Sequence, residues 1–307
     1  MNGFMKEYFK TNGKLMGWTL LILVGFWVVV LIILPQASML DFSFRPNLPP
    51  PEMGGPKDNY TLGNYQFLIF GAEGNPDGYN KVDLAVFGRT LLAAAIVTII
   101  DLMLCYPIAY YLGQSKGGGI LRILVLLLII PYWINEILRA FAFRIIFGDS
   151  GVINEFMMLM GLIDNPIDFI RENVALYAGL SYAYILLMIF PMYNVIESLD
   201  RNQIEAARDM GASWVTIHRR IVIPFAKPGI ASGCTMVFML SAGALAAPQI
   251  LGGPSSLWFT QLIYQWFNQG GNWTQGSAYA VVLLVTCIII VLSVMRMFKV
   301  NMGDIGK

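Results

Sequence analysis

Asp101 is the only ionisable residue near the middle of any long apolar run in this 307-residue chain. A carboxylate at a bilayer centre costs at least about 2–3 kcal/mol, so it must face a protein interior and serve a purpose there. Two uses stay open. One is a carboxyl hydrogen-bonded to a neighbouring Tyr or Thr, holding helices together. The other is a lining carboxylate for a cationic solute. Glu136 stands near the expected outer end of another apolar run, with Arg139 three residues on, at ion-pair spacing. Tyr132 and Trp133 lie one turn earlier. A carboxylate beside aromatic faces suits an ammonium ligand, because both attract cations. A boundary ion pair among belt aromatics has the same composition.

Other chemistries lack their residues. His218 is the sole histidine and, in a basic stretch, reads as a solvated side chain; no second His or Cys cluster accompanies it to hold a metal. Cys105, Cys234 and Cys287 are odd in number, far apart and set in apolar runs, which suits packing rather than disulfides. No Gly-x-x-x-x-Gly-Lys-Ser/Thr loop occurs, so ATP is not expected to be hydrolysed by this chain, and neither enzyme activity nor a cofactor is expected. A net charge of +1 leaves no basic stripe for nucleic acid.

The elements that must position these residues are membrane helices. The chain is 57% hydrophobic and 13% charged, against about 25% charged for soluble domains. Six runs are long enough to cross a bilayer: residues 15–34, 91–112, 121–138, 174–196, 228–251 and 278–295. In hydrocarbon every backbone polar group must be satisfied within its segment, so such runs become helices, and the fold class is all-α integral membrane. The first run exceeds the roughly 7–15 residues of a signal-peptide core and reads as a retained helix. With the N-terminus inside, 13 of the 20 Lys and Arg fall in inner segments, which puts both termini in the cytoplasm. The outer segment 35–90, rich in Pro, Gly and Asp, reads as an irregular exposed excursion with one short helix near 65–70. The outer segment 148–171 has enough apolar surface to lie on the membrane or the bundle, and 252–276 suggests a short helix over the outer mouth. Pro107, Pro131 and Pro191 interrupt three helices, as moving segments or static kinks.

The inner loop 197–227 carries the clearest pattern. Asn202 suits an N-cap, with Glu205 at capping-box spacing. Ile204, Ala207, Met210 and Trp214 recur at helical spacing, and Gly211 can end the helix. A short amphipathic helix on the inner face results, resting either on lipid headgroups or in a protein groove, to which Glu205 and Asp209 are better suited than to an anionic surface.

Glu205-Ala206-Ala207, Gly211 after three residues, and Ile221-Val222-Ile223-Pro224 after nine resemble the EAA signature of permeases of ATP-binding-cassette importers, with Ile223 where leucine is commoner. Cys105-Tyr106-Pro107-Ile108-Ala109-Tyr110 is similar to a Gly-Tyr-Pro-x-Ala-Tyr stretch of these permeases, with Cys105 in place of glycine. The resemblance implies a methionine-importer-like five-helix core from residue 91 onward, with 15–34 as an added first helix. It implies that the loop docks on an ATPase subunit, with Glu205, Ala206, Ala207, Asp209, Gly211 and Pro224 as coupling residues. The partners it implies are a cytoplasmic ATPase dimer, a second homologous permease, an extracytoplasmic solute-binding protein and membrane lipid. Pro131-Tyr132-Trp133, Glu205 to Ser213 and Leu251-Gly252-Gly253-Pro254-Ser255 look most like the spermidine/putrescine branch. Permeases for opines, amino-acid derivatives and other small solutes share much of this. A secondary transporter or channel would instead need an ion-coupling site and an inverted repeat, which the sequence lacks, and a membrane enzyme would need a catalytic constellation.

In sealed cells, an impermeant thiol reagent should modify a cysteine placed at Asp77 and spare one placed at Arg208. The opposite pattern would reverse the orientation.

Overall fold

The computed structural model describes residues 13–72, 78–115, 123, 127–130, 132–254 and 256–299. Among the described residues the regular structure is helical: α1 Lys14–Ser43, α2 Gly63–Phe70, α3 Lys81–Gln114, α4 Glu136–Ile146, α5 Val152–Leu159, α6 Val174–Glu197, α7 Arg201–Asp209, α8 Trp214–Ala242, α9 Ala246–Leu251, α10 Phe259–Asn268 and α11 Trp273–Phe298. Five of these, α1, α3, α6, α8 and α11, are long and apolar enough to cross a membrane. Part of the expected third helix, 121–138, lies outside the described residues: 121–122, 124–126 and Pro131. Residues 127–130 are helical, but the helix does not run on to 138. The chain breaks at Asn135, whose side chain accepts the Ile137 N–H at 2.9 Å and caps α4.

Two helices differ from the expected spans because of proline. α1 does not stop at Leu34 but continues through Pro35 to Ser43. α8 begins fourteen residues before Pro228, at Trp214, and passes through Pro224. In each, a π-turn precedes the proline, at Val29–Ile33 and at His218–Val222. A proline ring clashes with the carbonyl four residues back, and a widened turn gives that carbonyl room. The expected span 228–251 is likewise two pieces. α8 ends at Ala242, Gly243 to Leu245 leave helical geometry, and α9 restarts at Ala246. Pro248 has no N–H with which to continue the ladder toward Ala244.

Two compact units divide the chain: residues 1–80 with 263–283, and residues 81–262 with 284–307. In the first unit residues 44–62 are irregular and largely exposed, as expected, the expected short helix is α2, and side-chain bonds hold the segment together. Arg45 donates to Asp41 at 2.6 Å and to Asp58 at 2.7 Å. The Tyr60 hydroxyl donates to Asp41 at 2.8 Å. These bonds hold the guanidinium above, and the phenol above, their ordinary pKa values, the hydrogen bond to Asp41 being the larger cause in both. Buried Asn64 donates to the carbonyls of Ser43 and Arg45, tying α2 to the end of α1. Gln275 then donates to the Asn64 carbonyl at 2.9 Å. The Pro/Gly-rich turn at 74–77 is outside the described residues.

The second unit has its core where α3, α6 and α8 pack on one another around Val97, Cys105, Leu180, Met188, Met192 and Val237, all fully buried. α8 approaches α6 most closely at Gly229 and Gly233. A β-carbon on Gly229 would sit 2.5 Å from the Pro191 carbonyl oxygen, and one on Gly233 would sit 2.9 Å from the Met188 sulfur. Small residues four apart allow such backbone contact between membrane helices.

Gly229→Leu should therefore force α8 off α6 and destabilise the detergent-solubilised protein by about 3 kcal/mol. Thermal unfolding checks this; a midpoint equal to the parent's would contradict the close approach.

Candidate functional site

The inner loop folds as α7 joined to the start of α8. Its N-cap is Asp200, not Asn202: the Asp200 carboxylate accepts the Asn202 N–H at 3.0 Å. The expected capping box to Glu205 is thereby displaced by two residues. The C-terminus closes at Gly211, with φ of +78°. The Gly211 N–H bonds the Arg208 carbonyl at 2.8 Å, and the Ala212 N–H bonds the Ala207 carbonyl at 3.0 Å. This is a Schellman closure, which needs a left-handed residue that glycine adopts without a steric cost.

The expected apolar face divides in two. Ile204 and Ala207 are buried with Leu199, Ile217 and Val222 against Tyr106 and Tyr110 of α3. Met210 and Trp214 instead remain 82% and 62% exposed. The two pairs separate because the closure at Gly211 turns the chain between them. Glu205, Ala206, Asp209, Gly211 and Pro224 are also exposed. Ala207 lies on the packed side of α7, and Glu205, Ala206, Asp209 and Gly211 lie on its exposed side. The exposed patch combines two carboxylates, a methyl-sized flank and the apolar Met210, Trp214 and Val215.

His218 is not solvated; it is 5% exposed. Its Nδ1 shares a 2.6 Å hydrogen bond with the Tyr106 hydroxyl. The Tyr110 ring meets it edge-on at 4.4 Å, and the Trp214 ring covers it at 3.9 Å. The loop is thereby fastened to α3 by one polar bond inside an aromatic cage. Sequence reasoning missed this contact although both tyrosines lie in the Cys105–Tyr110 stretch, because nothing in the spacing pairs residue 106 with residue 218.

The four expected pathway residues are not brought together. Asp101 is fully buried in α3, with the Ser181 hydroxyl of α6 beside its carboxyl group. Tyr132 and Trp133 are 52% and 81% exposed. Glu136 begins α4 and lines a cavity of about 540 Å³ with Tyr184 of α6, the end of α8 and Gln249 of α9. Arg139 does not pair with Glu136: it donates to the Ala183 carbonyl at 3.4 Å. Arg144 donates to the Ile250 carbonyl, tying α4 to α9.

Residues 85–300 match the family model for the binding-protein-dependent transport system inner membrane component. The spermidine/putrescine transport system permease protein PotB of Salmonella typhimurium is 31% identical over 276 residues, covering 90% of this chain and 91% of that one. A bacterial alginate ABC transporter, solved with an alginate pentasaccharide-bound periplasmic protein, has a chain of the same fold at TM-score 0.70 and 15% identity. The match covers 95% of this chain and 98% of that one. The MetNI methionine ABC transporter in an inward-facing conformation matches at TM-score 0.50 and 20% identity, over 72% of this chain and 98% of its own.

Replacing Gly211 by valine puts a β-carbon at φ +78°, at a cost of about 1–2 kcal/mol. The Gly211-position and Ala212 amides, which close α7, should then exchange with deuterium roughly tenfold faster, with the core of α8 unchanged. Unaltered exchange at Ala212 would mean that the closure does not depend on glycine.

Proposed function

The chain belongs to the family of binding-protein-dependent transport system inner membrane components, and from that we propose that it is the permease of an ATP-driven importer whose solute is a polyamine. The multi-pass inner-membrane character follows from the family and from the five apolar helices. The observation that carries the coupling role is α7. It is a helix clamped to the bundle by Ile204 and Ala207, yet leaves Glu205, Ala206, Asp209 and the Gly211 closure exposed. A helix held rigidly on one side and bare on the other suits a groove on an ATPase subunit better than a lipid surface. Its exposed carboxylates would be repelled by anionic headgroups.

In this reading ATP is hydrolysed by a separate ATPase dimer, a second permease completes the pathway, and a solute-binding protein delivers from outside. Both termini face the cytoplasm. α1 stands with almost no buried surface in its apolar stretch, which leaves it to lipid or to a partner subunit. The polyamine assignment rests on the PotB relatives, named for spermidine and putrescine at 31% identity over nearly the full length. Asp101 and Glu136 supply separated carboxylates, as a chain of spaced ammonium charges requires. Asp101 would join the path only when α3 and α6 part.

Competition assays on the assembled importer test the substrate class. Excess putrescine or spermidine should abolish uptake of the labelled polyamine, whereas sugars and anionic amino-acid derivatives should not. Glu205→Ala should lower co-purification of the ATPase subunit several-fold. Uptake competed only by a sugar or an anion would refute the polyamine assignment and leave the importer assignment standing.

A further inference from the structure

We propose that the cavity lined by Glu136, Tyr184 and the outer end of α8 is a binding subsite for a primary ammonium group carried on an alkyl chain. The inference deepens the importer reading and rests on it for the direction of solute flow, but not for the chemistry of the site. The cavity holds about 540 Å³ and opens on one side.

Its polar groups are hydrogen-bond acceptors in excess. Glu136 contributes a carboxylate and has no ion pair among the described residues. It sits in the first turn of α4 behind the Asn135 cap. The Tyr184 hydroxyl spends its proton on the Leu240 carbonyl at 3.4 Å, so its lone pairs are what it can offer a ligand. α8 ends here at Ala242, and Gly243 to Leu245 are non-helical. The Met239 and Ser241 carbonyls accept the Gly243 and Ala244 N–H groups and the Leu240 carbonyl accepts the Tyr184 hydroxyl, each keeping a second lone pair, and this end of the helix carries partial negative charge. Opposite them, Gln249 adds an amide that can accept or donate. Arg139, one turn further along α4, turns its guanidinium to the Ala183 carbonyl instead.

A ring of acceptors around one carboxylate calls for a compact cation with several donors and no acceptor of its own, which describes an ammonium group. The walls between the polar groups are Ile137, Met239 and Ala246, apolar surface against which methylenes can lie. An anion would meet the carboxylate and the α8 terminus together, and a sugar would leave the charge unpaired. The site therefore selects for charge at one end and for hydrocarbon beside it.

The experiment uses cells carrying the whole importer, with Ile137→Cys, a half-exposed position on the cavity wall, as the reporter. Millimolar putrescine should slow its alkylation at least about threefold, and 1,4-butanediol of the same length should not. Glu136→Gln should abolish that protection and raise the KM for putrescine roughly tenfold, as loss of a charge-assisted bond implies. Glu136→Asp should restore part of both. Wild-type protection and KM in Glu136→Gln would overturn the subsite while leaving the importer reading intact. Equal protection by Mg²⁺ would overturn it in favour of a metal site. Protection by diamines in an importer that moves no polyamine would uphold the subsite and sink the polyamine reading.

Discussion

In hydrocarbon a peptide group has no water to turn to, and each unsatisfied N–H or C=O costs several kcal/mol. That constraint decides how this chain handles its prolines, and the prolines decide where its working parts lie. At Pro35 and Pro224 the ladder is kept by widening one turn into a π-turn, so the helix passes through. Near Pro248 the chain breaks instead, between α8 and α9. The first solution makes long rods of α1 and α8. The second exposes a helix end, and that end forms one wall of the cavity beside Glu136. Proline position thus sets both the length of the rods and the polarity of the cavity.

Close packing then depends on the rods being narrow where they cross. Gly229 and Gly233 let α8 rest on the backbone of α6 at Pro191 and Met188. Gln114 at the end of α3 donates to the Ile196 carbonyl at 2.9 Å and so satisfies the end of α6 from outside the helix. Three helices are locked at their inner ends by these contacts and by the Tyr106–His218 bond. α7 is mounted on that locked end, which is why so short a helix can present a fixed surface.

Much of this was legible in the sequence, for reasons that can be named. Long apolar runs announce membrane helices because only length and apolarity matter to the bilayer, so 91–112, 174–196 and 278–295 fall inside α3, α6 and α11. Gly211 was readable as a helix end because few other residues tolerate its φ. The misreadings come from contacts distant in sequence. His218 looked solvated because its neighbours Arg219 and Arg220 are charged, while its burial depends on Tyr106, 112 residues away. Tyr132 and Trp133 looked like partners of Glu136 by proximity, yet Tyr184 and Gln249 share its cavity. The irregular course of 44–62 and the short helix after it were legible from Pro and Gly, but the bonds of Asn64 and Arg45 that hold the segment were not, because composition does not reveal them. The break at Gly243 was hidden by an apolar run that continues across it.

The geometry also bears on how an event at α7 could be felt at the cavity. α8 is one helix of 29 residues from Trp214 to Ala242, roughly 43 Å of rod at 1.5 Å per residue. Its inner end packs against α7 through Ile217 and Val222. Its outer end supplies Met239 and Leu240 to the cavity. A helix resists bending far more than a loop does, so a push on α7 tilts α8 rather than dissipating along it. The pivot falls where α8 is pressed on α6, at Gly229 and Gly233, nearer the end at Ala242. The arm from there to Leu240 is shorter than the arm to Ile217, so a displacement of α7 reaches Leu240 in the opposite sense and somewhat reduced. Leu240 carries the carbonyl that orients the Tyr184 hydroxyl, and moving it disturbs the arrangement of acceptors around Glu136. A cation bound in the proposed subsite would then need no separate trigger at the cavity for its release, because the rod that packs on α7 is also one of the cavity's walls.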